Sequence, residues 1–290
     1  MMDLLLFQAP GSLWATLAAA WFGMMIGSFL NVVIHRMPIM IQREMENICA
    51  EECCNTPIPH PDHYSLVTPR SACPHCGHQI TALENIPLFS YFVLLRGKCS
   101  NCKAKISLRY PFVEALTGGL SALMIWHFGS GYVGMATMVF GFLIIAMTFI
   151  DFDTKLLPDE LTYGLLWIGL LINLQGHFAL LQDAVIGALA GYLVLWGVNS
   201  LFYLIRKKQG MGNGDFKLLA ALGAWFGWQM LPTIILLSSV VGSVVGILGM
   251  VLMKRDSDFK IPFGPYLAGA GLLALFYGKT LTDLIFTLMQ

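Results

Sequence analysis

The stretch Tyr132-Val-Gly-Met-Ala-Thr-Met-Val-Phe-Gly-Phe-Leu-Ile-Ile-Ala-Met-Thr-Phe-Ile150 runs without a charge and stops at Asp151. At about 1.5 Å per residue, a helix of this length crosses the roughly 30 Å hydrocarbon core of a bilayer. Seven more stretches have the same character, at 12–34, 110–128, 160–176, 184–205, 214–228, 231–253 and 261–278. The pattern predicts an all-α polytopic membrane protein of about eight transmembrane helices. Composition agrees. Hydrophobic residues make up 57% of the 290 and charged residues 12%, about half the roughly 25% of a soluble domain. The mean hydropathy of +0.69 points the same way. Seventeen basic and seventeen acidic residues cancel, which argues against a nucleic-acid partner. Membrane lipid is the expected surround.

Orientation follows from the basic residues. Arg36, Arg43, Arg70, Arg96, Lys98, Lys103, Lys105 and Arg109 lie between the first and second stretches. Lys155, Arg206, Lys207, Lys208, Lys254, Arg255 and Lys260 follow the third, fifth and seventh, and Lys217 starts the sixth. Only Lys279 falls on the other side, so 16 of 17 share one face. That face is expected to be cytoplasmic, with both termini opposite. The first stretch is expected not to be a cleavable signal: no Lys or Arg precedes it, and its apolar run is too long. The chain then reads as a first transmembrane helix at 12–34, a cytoplasmic loop at 36–109 and a seven-helix membrane domain at 110–290. No firm secondary structure is expected over Glu44–His63. The spacings Gly187–Gly191, Gly223–Gly227 and Gly242–Gly246 suit close helix packing.

All seven cysteines lie in the large loop, where a reducing compartment favours metal binding over disulfides. Cys73-Pro-His-Cys76 and Cys99-Ser-Asn-Cys102 form two C-x2-C pairs separated by 22 residues. Two such knuckles supply the four thiolates of a closed tetrahedral zinc site, structural rather than catalytic. Redox-active or simply buried thiols are the alternative. Cys49, Cys53 and Cys54 form a further cluster, read as free thiols or a second metal site with His60 or His63.

Ionisable groups at membrane depth are costly and point to function. Asp151 ends the third stretch, and Asp215 opens the sixth in Gly210-Met-Gly-Asn-Gly-Asp215-Phe-Lys217. In the inferred topology both sit at the cytoplasmic boundary. Two carboxylates meeting there can share a proton, one acting as base on water and the other as acid. A proton relay in a transporter would use them equally well. Gly210, Gly212 and Gly214 permit positive φ and close substrate approach. Asp153 is expected nearer water, and Asp159 is placed to cap the fourth helix. Glu114 reads as a structural hydrogen-bonding group or part of a second site.

Together these residues are similar to the bacterial type IV prepilin peptidases, also called leader peptidase/N-methyltransferases. Gly212-Asn-Gly-Asp215 matches the G-x-G-D motif of intramembrane aspartic proteases. Gly27-Ser-Phe-Leu-Asn-Val-Val-Ile-His-Arg36, the C-x2-C pairs, Asp151-Phe-Asp-Thr-Lys-Leu-Leu-Pro-Asp159 and Ile261-Pro-Phe-Gly-Pro265 complete the resemblance. It implies cleavage of the basic leader of prepilins and pseudopilins, then N-methylation of the new N-terminus with S-adenosylmethionine. It implies a multi-pass protein of the bacterial inner membrane whose catalytic site faces the cytoplasm. The catalytic residues it implies are Asp151 and Asp215, supported by Gly212 and Gly214. It places methyl transfer in the N-terminal region and the 36–109 loop, and peptidase chemistry in 110–290. Gly97 is the candidate for donor binding, with a plain turn before the second knuckle as the rival reading. Ser28 and Asn31 read as interhelical hydrogen-bonding groups or donor contacts. Pro262, Phe263, Gly264 and Pro265 read as cleft lining or a simple turn. A peptidase alone, or a proton-coupled transporter, are the alternative functions.

Overall fold

A computed structural model describes residues 11–54, 57–208, 210–253 and 262–288. Lys254, Arg255, Lys260 and Ile261 lie outside the described residues, as do the side chains of Cys53 and Cys54. Eight α-helices occur among the described residues: α1 Leu13–Ile48, α2 Arg109–Phe128, α3 Tyr132–Thr154, α4 Asp159–Ile172, α5 Leu181–Arg206, α6 Asn213–Phe226, α7 Leu231–Met253 and α8 Gly264–Leu288. Each apolar stretch coincides with one of them. Among the described residues, four helical segments are long and apolar enough to cross a membrane: Leu13–Glu52, Tyr132–Thr154, Leu181–Arg206 and Trp228–Gly249. No strand forms among the described residues, only two isolated bridges. Helix α8 loses helical geometry at Tyr277, where the apolar stretch also runs out.

The chain divides into two compact units, Met1–Ala146 and Met147–Gln290. In the first, α1 and α2 pack antiparallel. A methyl group on Gly27 would lie 2.8 Å from Glu114 Cα, and one on Gly118 would lie 2.9 Å from the Ala20 carbonyl. Gly23 meets Ser121 and Thr117 in the same seam. Small residues thus let two backbones approach, the usual basis of helix association in lipid.

Helix α1 is longer than the sequence reading gave. It continues past residue 34, through Pro38, to Ile48, and a π-helical turn covers Cys49–Cys54. The physical reason is the run Gln42-Arg-Glu-Met-Glu46, rich in helix formers and stitched by Gln42 Nε2 donating to Glu46 Oε1 at 2.9 Å. Asn47 then holds the returning chain. Its Nδ2 donates to the His60 carbonyl at 3.0 Å, and its Oδ1 accepts from the His60 amide at 3.1 Å.

The second unit is built around α6, in which Asp215, Phe216 and every residue from Leu218 to Phe226 are buried. Helices α4, α5 and α8 surround it. Only about 21 Å long at 1.5 Å per residue, α6 does not cross a bilayer alone; protein covers its apolar surface. Trp225 Nε1 donates to the Leu165 carbonyl at 2.8 Å, with Gly169 making room for the indole. Asn173 is fully buried and fully satisfied. It donates to the Ala224 and Trp225 carbonyls and accepts from the Phe178 and Ala179 amides. The exposed face of α5 carries Leu189, Leu193, Trp196, Leu204 and Ile205, as lipid contact requires.

Gly187 of α5 and Gly223 of α6 touch backbone to backbone. Gly223→Val is expected to lower stability by about 1–3 kcal/mol or more, the usual effect of overpacking. A fall in the thermal unfolding midpoint in detergent would report it.

Candidate active site and metal centre

Asp151 and Asp215 both belong to the second unit, at the end of α3 and the start of α6. They are 4% and 8% exposed, and close enough for the charge on one to act on the other. Asp215 is the third residue after the cap of α6. Its amide donates to the Gly212 carbonyl at 3.3 Å, and its carboxylate reaches back to the Gly212 amide, half of a capping box. The Gly264 amide at the start of α8 faces the Asp151 carboxylate, but Asp151 Oδ2 is buried with no hydrogen-bond partner. An unpartnered carboxylate oxygen beside a second carboxylate is poised to receive a water or a peptide group.

The glycines act differently from the sequence expectation. Gly212 is the cap at φ −76° and ψ 149°, so positive φ is not its role. Gly214 is needed for space: a methyl group there would lie 2.6 Å from Leu157 Cβ. Gly264 is tighter still against the acid, since its methyl group would lie 2.6 Å from Asp151 Oδ2. Gly264→Ala is therefore expected to displace the Asp151 carboxylate, and a fall in the thermal unfolding midpoint in detergent would report the strain.

Asp159 does not cap α4. Pro158 occupies that position, and the Asp159 carboxylate instead accepts from Lys217 Nζ at 2.6 and 2.7 Å. The pair joins α4 to α6 two residues beyond Asp215. Asp153 is exposed. Sequence reasoning missed Asn199, whose Oδ1 accepts from the Gly210 and Met211 amides at 3.2 and 3.1 Å and fixes the loop before α6. The available signal was a polar residue inside an otherwise apolar span.

The four cysteines of the knuckles converge in the first unit, with all four sulfurs within 4.8 Å of one another. Cys73 Sγ lies 3.8 Å from Cys102 Sγ, and Cys76 Sγ 4.0 Å from Cys99 Sγ. Sulfurs held tetrahedrally at about 2.3 Å from zinc are about 3.8 Å apart, so the donor set fits such an ion. The knuckles repeat one backbone design. The Cys73 amide donates to His78 O and the Gly77 amide to Cys73 O; Cys99 to Ala104 O and Lys103 to Cys99 O match them. Gly77 and Lys103 are left-handed at φ 71° and 61°.

The Cys102 and Asn101 amides pull the Cys99 thiol down to about 6. The Ala104 amide also favours a thiolate at Cys102, yet burial and the sulfurs of Cys76 and Cys99 push it up to about 11. Crowded thiolates of this kind are relieved by a divalent cation. Glu84 joins the knuckles, held at about 2 by the Ser100 hydroxyl and the Thr81 amide, with its Oε2 3.4 Å from His78 Nε2.

Gly97 precedes the second knuckle at φ 70°. Its amide donates to the Tyr91 carbonyl at 2.9 Å, and a methyl group there would lie 3.1 Å from Tyr91 Oη. Asn31 Nδ2 bonds the Tyr110 carbonyl, linking α1 to α2, and Ser28 Oγ donates to Asn85 Oδ1. Glu114 Oε2 accepts the Leu88 amide at 2.8 Å.

Comparison with known proteins adds to this geometry. The Bacterial Peptidase A24 N-terminal domain model matches residues 21–128, and the Type IV leader peptidase family model matches residues 138–247. A protein of Aeromonas salmonicida (strain A449) is 52% identical over 285 residues, covering 97% of both chains. The chain belongs to the type IV leader peptidase family. The Aeromonas relative is named prepilin leader peptidase/N-methyltransferase. So is a Pseudomonas aeruginosa protein, 50% identical over 281 residues and 97% of each chain. A Stutzerimonas stutzeri relative of the same name is 52% identical over 276 residues, or 95% of each. No solved structure matches the chain.

Proposed function

We propose that the chain is a prepilin leader peptidase and N-methyltransferase of the bacterial inner membrane, acting at the cytoplasmic face. The observation that supports cleavage most directly is the buried Asp151–Asp215 pair with one carboxylate oxygen unpartnered. Like charges at short range hold one proton between them, and the pair titrates as a unit. In the first step the ionised carboxylate takes a proton from water, which attacks the scissile carbonyl while the protonated carboxyl donates to its oxygen. Collapse of the tetrahedral diol breaks the C–N bond, and the pair returns the proton to the leaving amine. No covalent enzyme intermediate forms. The basic residues predicted on one face support a cytoplasmic site, because a prepilin presents its basic leader there.

Cys73, Cys76, Cys99 and Cys102 would hold zinc as a structural ion, with all four positions filled by sulfur. S-adenosylmethionine would supply the methyl group. Gly97 supports the donor region through its neighbour: a side chain there strains a left-handed turn and presses on Tyr91. Gly97→Ala is expected to reduce methylation severalfold while cleavage continues. The test of the whole reading is an intact-mass assay of the purified protein with a full-length prepilin, with and without S-adenosylmethionine. Loss of the leader in both, with one added methyl group only when donor is present, is the expected result. An unchanged substrate alongside an active relative would overturn the reading.

A further inference from the structure

The first unit contains a cavity of about 470 Å³, within the roughly 300–1,000 Å³ range of small-molecule sites. Helix α1 forms one wall through Ser28, Asn31 and Arg36; the start of α2 adds Glu114, and the knuckle segment adds Cys73 and Cys99. Two charged side chains of opposite sign are buried in this wall, Arg36 at 8% exposure and Glu114 at 9%. The Arg36 guanidinium donates to the carbonyls of Ser65 and Leu66 at 3.0 and 3.4 Å and lies 5.6 Å from the centroid of the Tyr64 ring. Glu114 accepts from the Leu88 amide at 2.8 Å, while the nearby Ser28 hydroxyl gives its proton to Asn85 Oδ1. Among the described residues neither has an oppositely charged partner. Dipoles alone compensate a buried charge poorly, so each side chain is short of a counter-charge, and both line one cavity.

A ligand that answers both carries an anionic and a cationic group on one small molecule. We propose that this cavity is the methyl-donor site, with Arg36 taking the donor's carboxylate and Glu114 its sulfonium-bearing end. This rests on the methyltransferase reading above and assigns it residues. Tyr91, in the lining, offers an aromatic ring for a purine, while the Tyr64 ring is held by Arg43 and Arg36 at 4.4 and 5.6 Å from its centroid. The site lies wholly within the first unit, whereas Asp151 and Asp215 belong to the second.

The test is equilibrium binding of S-adenosylmethionine and of S-adenosylhomocysteine, which lacks the sulfonium charge, to the full-length protein. Wild type is expected to prefer the sulfonium ligand. Glu114→Gln should erase that preference, and Arg36→Gln should weaken both ligands at least tenfold. Unchanged affinities and preference in variants with wild-type melting temperatures and zinc content would overturn the assignment. Should either variant fail to fold, hydrogen exchange on wild type decides. Slowed exchange at the Leu88 amide, which donates to Glu114, on adding S-adenosylmethionine supports the site, and unaltered exchange there at saturating donor overturns it. Wild type that cleaves but never methylates sinks the methyltransferase reading itself, a different result from methylation with an unaffected cavity.

Discussion

Asp151→Asn and Asp215→Asn should each reduce leader cleavage by about 10³-fold or more, the scale expected when a positioned acid or base is lost. The double variant should be barely worse than either single one, because the two carboxylates work on one proton and their effects do not add. An amide has nearly the size of a carboxylate, so packing at the ends of α3 and α6 is preserved. Methylation of a pre-cleaved substrate supplies the internal control: it should persist in both variants, since neither aspartate lies in the unit holding the donor cavity. Single variants that cleave normally would remove the dyad.

The second large effect concerns the metal. Purified protein should hold one zinc per chain, and Cys99→Ala or Cys102→Ala should reduce it to none. Structural zinc contributes about 10–16 kcal/mol in small zinc-finger peptides, and regular secondary structure does little to tie the two knuckles together. Its two bridges, Ala72 with Gln79 and Lys98 with Lys105, are isolated. Without the ion, trypsin should cut rapidly at Lys98, Lys103 and Lys105, sites that resist in the zinc-loaded protein. Because Cys73 and Cys99 line the donor cavity, methylation should fall with the metal. Full zinc content in both variants would exclude the four-thiolate site.

What could be read from the sequence was local. Eight apolar runs gave eight helices among the described residues, because an apolar run seeks either lipid or protein. Four helical segments there are long and apolar enough to cross a membrane, while α6 is apolar because protein covers it. The knuckles were legible because two residues between cysteines fix the turn. The extension of α1 to Ile48 was not: polar residues beyond a membrane boundary resemble a loop until Gln42–Glu46 and Asn47–His60 contacts are seen. The glycines before Asp215 were recognised, but backbone freedom was the wrong reason; what Gly214 needs is room for Leu157. Asp159 looked like a cap because its partner, Lys217, is 58 positions away. The cavity was invisible for the same reason. It is assembled by pairs 57, 79 and 26 positions apart, Ser28–Asn85, Asn31–Tyr110 and Leu88–Glu114, and no periodicity encodes such separations.

The division between the two units falls inside α3, between Ala146 and Met147. The N-terminal family match, by contrast, ends at 128, just before the turn at Gly129. Recombination that joined chains between Ala146 and Met147 would have to splice a continuous helix in register, with every side chain on its original face. A crossover at Gly129–Gly131 would exchange the donor cavity and zinc knuckles while leaving α3 and Asp151 intact. Laboratory chimaeras made at that turn should therefore inherit methyl-donor behaviour from one parent and leader cleavage from the other.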